Sequence, residues 1–88
     1  MNIKIFVQDQ CPNCPPAKEI GAKLEKEGHN INYFDTNSVD GLSEAVLHDV
    51  LATPSIVVVD KNKKEVKSWR GDVPNLDDVR KVLQSNEK

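Results

Sequence analysis

The sequence predicts an α/β fold in which a four-stranded mixed sheet is flanked by three helices, in the order βαβαββα. Three observations carry that expectation. The run Ser55-Ile56-Val57-Val58-Val59 is β-branched and unbroken in its apolarity, as in a strand covered on both faces. Apolar residues recur at helical spacing in three separate stretches, near residues 17–24, 42–50 and 76–83. Short strand-like runs separate those stretches, so each helix lies next to sheet that it can cover.

Residues 2–8 alternate, with Ile3, Ile5 and Val7 set against Lys4 and Gln8, and Phe6 supplies apolar surface on the second face. That is apolar enough for a central strand. The loop Asp9-Gln10-Cys11 leads into a helix reaching about Glu27, with Ala17, Ile20, Gly21 and Leu24 as its stripe and Gly28 and Asn30 at its end. Ile31-Asn32-Tyr33-Phe34-Asp35 reads as a short second strand. Asp40 is placed to cap a second helix, with Leu42, Ala45, Val46 and Val50 facing inward. The strand at 55–60 comes next, and the polar residues 60–64 turn a hairpin in which Asn62 suits a positive φ. Residues 65–70 alternate and carry enough charge for an edge strand. Gly71 and Pro74 break the chain, and Asn75 caps a last helix with Leu76, Val79, Val82 and Leu83 inward. Residues 84–88 are expected to fray.

With 88 residues, the chain is expected to form one domain over residues 1–88. Apolar residues at 38% and charged residues at 30% describe an ordinary globular composition. A net charge of −2 offers no basic face to nucleic acid or to an anionic membrane. No apolar run approaches the ~20 residues of a membrane span, and the first residues alternate too soon for a secretory leader. A reducing, cytoplasmic setting follows as the expectation. There a Cys-x-x-Cys pair is redox-active or metal-binding more often than it is a permanent staple.

The two cysteines of the chain are Cys11 and Cys14, in Cys11-Pro12-Asn13-Cys14, where a strand pattern gives way to a helical one. Two intervening residues let the sulfurs meet as the chain enters a helix, and the helix N-terminus favours thiolate over thiol. A thiolate with a second thiol one turn away suffices for thiol–disulfide exchange. In this reading Cys11 is the exposed attacking thiol and Cys14 the shielded resolving one. Pro12 holds Cys11 extended, whereas Pro15 and Pro16 lack the N–H groups that would serve the carbonyls of Cys11 and Pro12, which loosens the first turn. Asp9 opposes a strongly activated thiolate, and Lys18 is the nearest cation in sequence beyond Cys14. Other uses of the pair fit less well. A zinc site would need His29 and His48, which are too far apart for an H-x₃₋₅-H pair. A Cu(I) carrier would use the same two thiols but expects βαββαβ order. A permanent structural bridge does not suit a cytosolic chain.

Thr53-Pro54 stands directly before the most apolar strand, although proline cannot enter a ladder from its nitrogen. A cis bond there would turn the N–H and C=O of Thr53 outward to pair with an extended peptide. A trans proline that merely starts the strand is the ordinary alternative.

With these features assembled, the chain is similar, from Ile3 to about Leu83, to small members of the thioredoxin/glutaredoxin superfamily. The likeness rests on strand–Cys11-Pro12-Asn13-Cys14–helix, then Thr53-Pro54, then Gly71 before the last helix. It implies a thioredoxin-like, glutaredoxin-sized fold, Cys11 as nucleophile, Cys14 as resolving thiol, and a cis Pro54 facing Cys11. It also implies a target-binding surface that includes Pro12, Asn13, Thr53, Pro54 and Gly71. No cofactor beyond a redox-active Cys11–Cys14 disulfide is implied. The activity implied is protein-disulfide reduction by a monomer that takes electrons from a reductase and passes them to targets, ribonucleotide reductase or peroxiredoxins among the candidates. A glutathione-dependent glutaredoxin and a metal carrier are the alternatives. Gln10 stands where full thioredoxins carry tryptophan, and Ile5 stands where they bury an acid. Gln8-Asp9-Gln10 lacks the basic residue usual in glutathione-binding glutaredoxins, while Gly71-Asp72 partly matches their Gly-x-Asp element. Among the remaining residues, Trp69 reads as sheet packing, His29 and His48 as surface residues at helix ends, residues 61–64 as a solvated turn, and Arg70 as an edge-strand charge.

Overall fold

The computed structural model describes residues 2–8, 11, 14–62, 64–71 and 73–85. Its elements follow the expected order: β1 (Asn2–Val7), α1 (Cys14–Lys26), β2 (Asn30–Asp35), α2 (Val39–Leu47), β3 (Ser55–Val59), β4 (Glu65–Arg70) and α3 (Leu76–Ser85). The strands lie side by side as β2-β1-β3-β4. β1 runs parallel to β2 and antiparallel to β3, and β3 runs antiparallel to β4, so the sheet is mixed. The α1 crossover is what makes the β1–β2 pair parallel.

Alternation along the two central strands divides the core in two. Ile3, Ile5 and Val7 of β1 and Ile56 and Val58 of β3 pack with Ala17, Ile20 and Leu24 of α1 and Val79 and Leu83 of α3. Phe6, Val57 and Val59 point the other way and pack with Ala45, Val50 and Phe34. Every residue of β3 is buried, which is why its sequence is apolar without interruption. The edge strands β2 and β4 are only partly covered.

Several local expectations change. The cap of α2 is Ser38, whose hydroxyl accepts the Gly41 N–H at 3.0 Å, and Asp40 lies inside the first turn, where its charge faces the positive helix end. Gly41 and Ala45 form the buried edge of α2, whereas Leu42 and Val46 are 54% and 69% exposed. Gly41 is the cause. A Cβ there would fall on the main chain of Asp35, so α2 lies against the end of β2 at backbone distance with its smallest residues inward. Val50 is buried as expected. The β3–β4 turn is organised by Asp60, whose carboxylate accepts the N–H groups of Asn62 and Lys64 at 2.8 and 3.0 Å. Asp49, at φ 56°, is the left-handed non-glycine position among the described residues. α3 extends to Ser85, past the predicted start of fraying at Gln84. Asn75 stands at its start, where its main-chain carbonyl accepts from the Asp78 and Val79 N–H groups at 3.0 and 3.3 Å.

Candidate functional site

Strand register decides which loops share an end of the sheet. Phe6 near the end of β1 pairs with Ser55 at the start of β3, and Ser55 pairs with Arg70 at the end of β4. The segment carrying Cys11, the Thr53-Pro54 segment and Gly71 therefore leave the sheet at one edge. Thr36, after β2, joins them there, because its N–H donates to the Val7 carbonyl at 2.9 Å.

Cys11 and Cys14 are joined by a disulfide, with their Cα atoms 5.3 Å apart. Cys14 begins α1 and is 3% exposed, while Cys11 precedes the helix and is only half-buried. The Cys14 N–H donates to the Cys11 carbonyl at 3.3 Å, supplying that carbonyl with the partner that Pro15 cannot provide. The prolines occupy the first turn, where an N–H is not needed. That turn holds no acidic residue, so among the described residues no carboxylate within it offsets the partial positive charge of the helix end.

The Thr53–Pro54 bond is cis, with Pro54 buried and Thr53 half-buried. Thr53 also lines a cleft of about 270 Å³ with Gln8, Thr36, Asn37 and Leu51. Gly71 adopts φ +73°, and a Cβ there would lie 3.2 Å from the Ala52 side chain. Ser55 binds the two loops together. Its fully buried hydroxyl donates to the Ala52 carbonyl at 2.6 Å and accepts the Gly71 N–H at 3.0 Å. Sequence reasoning missed Ser55 because a serine opening an apolar strand gives no sign that its hydroxyl bridges two loops.

Pro12 and Asn13, the other expected site residues, lie outside the described residues, as do Asp9, Gln10 and Asp72. Trp69 packs against the α1–α3 core. Arg70 does not project freely, since its guanidinium donates to the His48 carbonyl at 2.7 and 3.2 Å and pairs with Glu65 at 2.6 Å, with Ser68 also in contact. His48 is not a surface residue, since its side chain is only 10% exposed. Its Nε2 accepts from the Lys4 ammonium at 3.1 Å, beside Glu44. Burial, then the Lys4 charge, holds its pKa below the ordinary histidine value.

A thioredoxin-domain family model matches residues 1–84. The chain belongs to the thioredoxin family. A probable thioredoxin of Archaeoglobus fulgidus is 33% identical over 60 residues, covering 67% of this chain and 66% of that protein. The match thus spans just under two thirds of that relative. Two solved structures share the fold. Thioredoxin 1 of Thermosipho africanus, at 19% identity, has a TM-score of 0.69 with 97% of this chain and 92% of that one covered. A thioredoxin-like protein of Clostridium perfringens, at 21% identity, reaches 0.83 with 98% and 70% covered. Family and cysteine pair together make this thioredoxin domain a thiol–disulfide redoxin in the general sense.

Proposed function

We propose that the protein reduces disulfides in other proteins and is itself re-reduced by a dedicated reductase. The observation that carries this reading is the unequal cover of the two cysteines, with Cys14 buried at the head of α1 and Cys11 half-exposed ahead of it. In the reduced protein the Cys11 thiolate attacks one sulfur of a target disulfide. A mixed disulfide forms, and the other target sulfur leaves as a thiolate that takes up a proton. The Cys14 thiolate then attacks the Cys11 sulfur and expels the second target thiolate. Two electrons have passed to the target and the Cys11–Cys14 disulfide has formed. The reductase returns the domain to the dithiol with two electrons and two protons.

Thr53 and Gly71 flank the target in this reading, because register brings their loops to the same edge as Cys11 and Ser55 ties them together. The match to a thioredoxin-domain model supports protein targets. The protein acts as a monomer in the cytoplasm, without a further cofactor. Insulin reduction, run in parallel with an NADPH-dependent thioredoxin reductase, a ferredoxin-linked reductase and glutathione, tests the reading. Turnover with a reductase and little with glutathione is expected. Turnover with glutathione alone would assign a glutaredoxin role, and none with any donor, together with tight metal binding by the reduced thiols, would assign the carrier role.

A further inference from the structure

α2 carries apolar residues on two faces, and the sheet uses only one of them. Gly41 and Ala45 face β2, whereas Val39, Leu42 and Val46 fall on the outward side at helical spacing and are 82%, 54% and 69% exposed. Leu47 at 70% and Leu51 at 97% continue that surface past the helix end to within two residues of Thr53. Leu42 and Leu51 line one cleft with Thr53, and exposed apolar surface of this kind marks an interaction site more often than chance. The charge around it has one sign. From Gly28 to Val59 the chain holds no lysine or arginine, and its charged residues are Asp35, Asp40, Glu44 and Asp49. Glu44 is held by Lys4 beneath the helix, and Arg70 is committed to Glu65 and the His48 carbonyl, while Asp40 and Asp49 are exposed beside the apolar stripe.

We propose that the outer face of α2, with Leu51, is a docking surface for a disulfide-bearing protein target whose segment beside the reacting cystine is apolar and cationic. The proposal rests on the redox reading above and adds which targets that site accepts. Charge complementarity selects the occupant, because Asp40 and Asp49 would attract lysine or arginine flanking an apolar segment. A second copy docking through the same face about a two-fold axis would set these acids against their own counterparts. Continuity through Leu51 and Ala52 to Thr53 gives a docked segment a direct path to Cys11.

Two synthetic cystine peptides of equal length and leucine content test it, one with lysines and the other with glutamates beside the cystine, together with a small aromatic disulfide as a control. Reduction of the lysine peptide about tenfold faster than the glutamate peptide at low salt is expected. The preference should shrink at high salt and in Asp40→Asn/Asp49→Asn. Val39→Ser/Val46→Ser should slow both peptides and leave the small disulfide unchanged, which shows that the thiols still work. Equal rates in the natural protein, a preference that survives Asp40→Asn/Asp49→Asn, or peptide rates unchanged in Val39→Ser/Val46→Ser would overturn the proposal while leaving the redox reading intact. Failure to reduce even the small disulfide would overturn the redox reading and this one with it. A concentration-dependent dimer in sedimentation that Val39→Ser/Val46→Ser abolishes would give the face to a second copy instead.

Discussion

The residue scale turns on small differences in cover. Cys11 and Cys14 are chemically identical, yet Cys14 is almost wholly enclosed at the head of α1 and Cys11 is not. An incoming disulfide therefore meets Cys11 first. Cys14→Ser should accumulate a mixed disulfide with a protein target, and Cys11→Ser should trap none; limiting iodoacetamide on the reduced protein should mark Cys11 well before Cys14. Equal labelling, or capture through Cys14, would reverse the assigned roles. The Cys-x-x-Cys pair was legible because its chemistry lies in its spacing. Ser55 was not, because its role depends on a carbonyl three residues before it and an N–H sixteen residues after it. Ser55→Ala would leave the Gly71 N–H and the Ala52 carbonyl without their partner, a loss of about 1–3 kcal/mol in stability. Its functional signature should be a raised KM for insulin with little change toward a small disulfide. An unchanged KM would restrict Ser55 to structural support.

For whole elements, periodicity told most of the story and failed where one helix had two apolar sides. β1, β3, α1 and α3 are each apolar on the surfaces that the sheet buries, so their patterns announced their orientation. At α2 the pattern offered Leu42, Ala45, Val46 and Val50 as one inner face, and the structure keeps Ala45 and Val50 inside. Hydrophobicity could not decide the rotation of this helix, because close approach did. Gly41 admits the Asp35 main chain where any side chain would collide with it, and that contact sets the rotation that turns Leu42 and Val46 to solvent. The cap was displaced for a related reason, since Ser38 and Asp40 both suit an N-terminus and the Ser38 hydroxyl, donating to the Asp35 carbonyl at 2.7 Å, is held where it accepts the Gly41 N–H. Gly41→Ala should therefore destabilise the fold by about 1–3 kcal/mol by overpacking, although alanine is the better helix former by about 1 kcal/mol. Gly28→Ala is the comparison, because nothing lies within 4 Å of a Cβ there and only its positive φ opposes the change. Urea denaturation of both variants decides the point, and a Gly41→Ala protein no less stable than Gly28→Ala would show that the close contact does not seat the helix.

On the scale of the whole molecule, the two faces of the sheet are stabilised differently. The α1–α3 face is an apolar core, whereas the α2 face combines a small apolar cluster with a polar one in which Lys4 of β1, Glu44 of α2 and His48 meet over Phe6. The lysine ammonium can only donate, so the unprotonated Nε2 of His48 is the acceptor and the arrangement requires a neutral imidazole. Burial is the largest reason that its pKa is lowered. Lys4 and, to a smaller extent, Arg70 act in the same direction, while Glu44 and Glu65 oppose them. In the unfolded chain the ring titrates near 6.5. As pH falls through that value the unfolded chain takes up a proton that the folded one refuses, so this group leaves stability unchanged well above 6.5 and lowers it below, until the lower native pKa is reached. His48→Gln keeps a polar side chain at the position and removes the titration. Thermal melts should show the natural protein losing several degrees more than His48→Gln as pH drops from about 7 to about 5, with carboxylate contributions common to both. Because the His48 carbonyl anchors Arg70 at the end of β4, loosening this corner should also reach the segment after α2 that carries Leu51 and Thr53. Amide protection in that segment, taken relative to the intrinsic exchange rate at each pH, should fall on acidification in the natural protein and not in His48→Gln. Equal melting losses in the two proteins would mean that the imidazole takes up its proton in the fold as readily as in the unfolded chain and that the Lys4 contact does not depend on its neutral form.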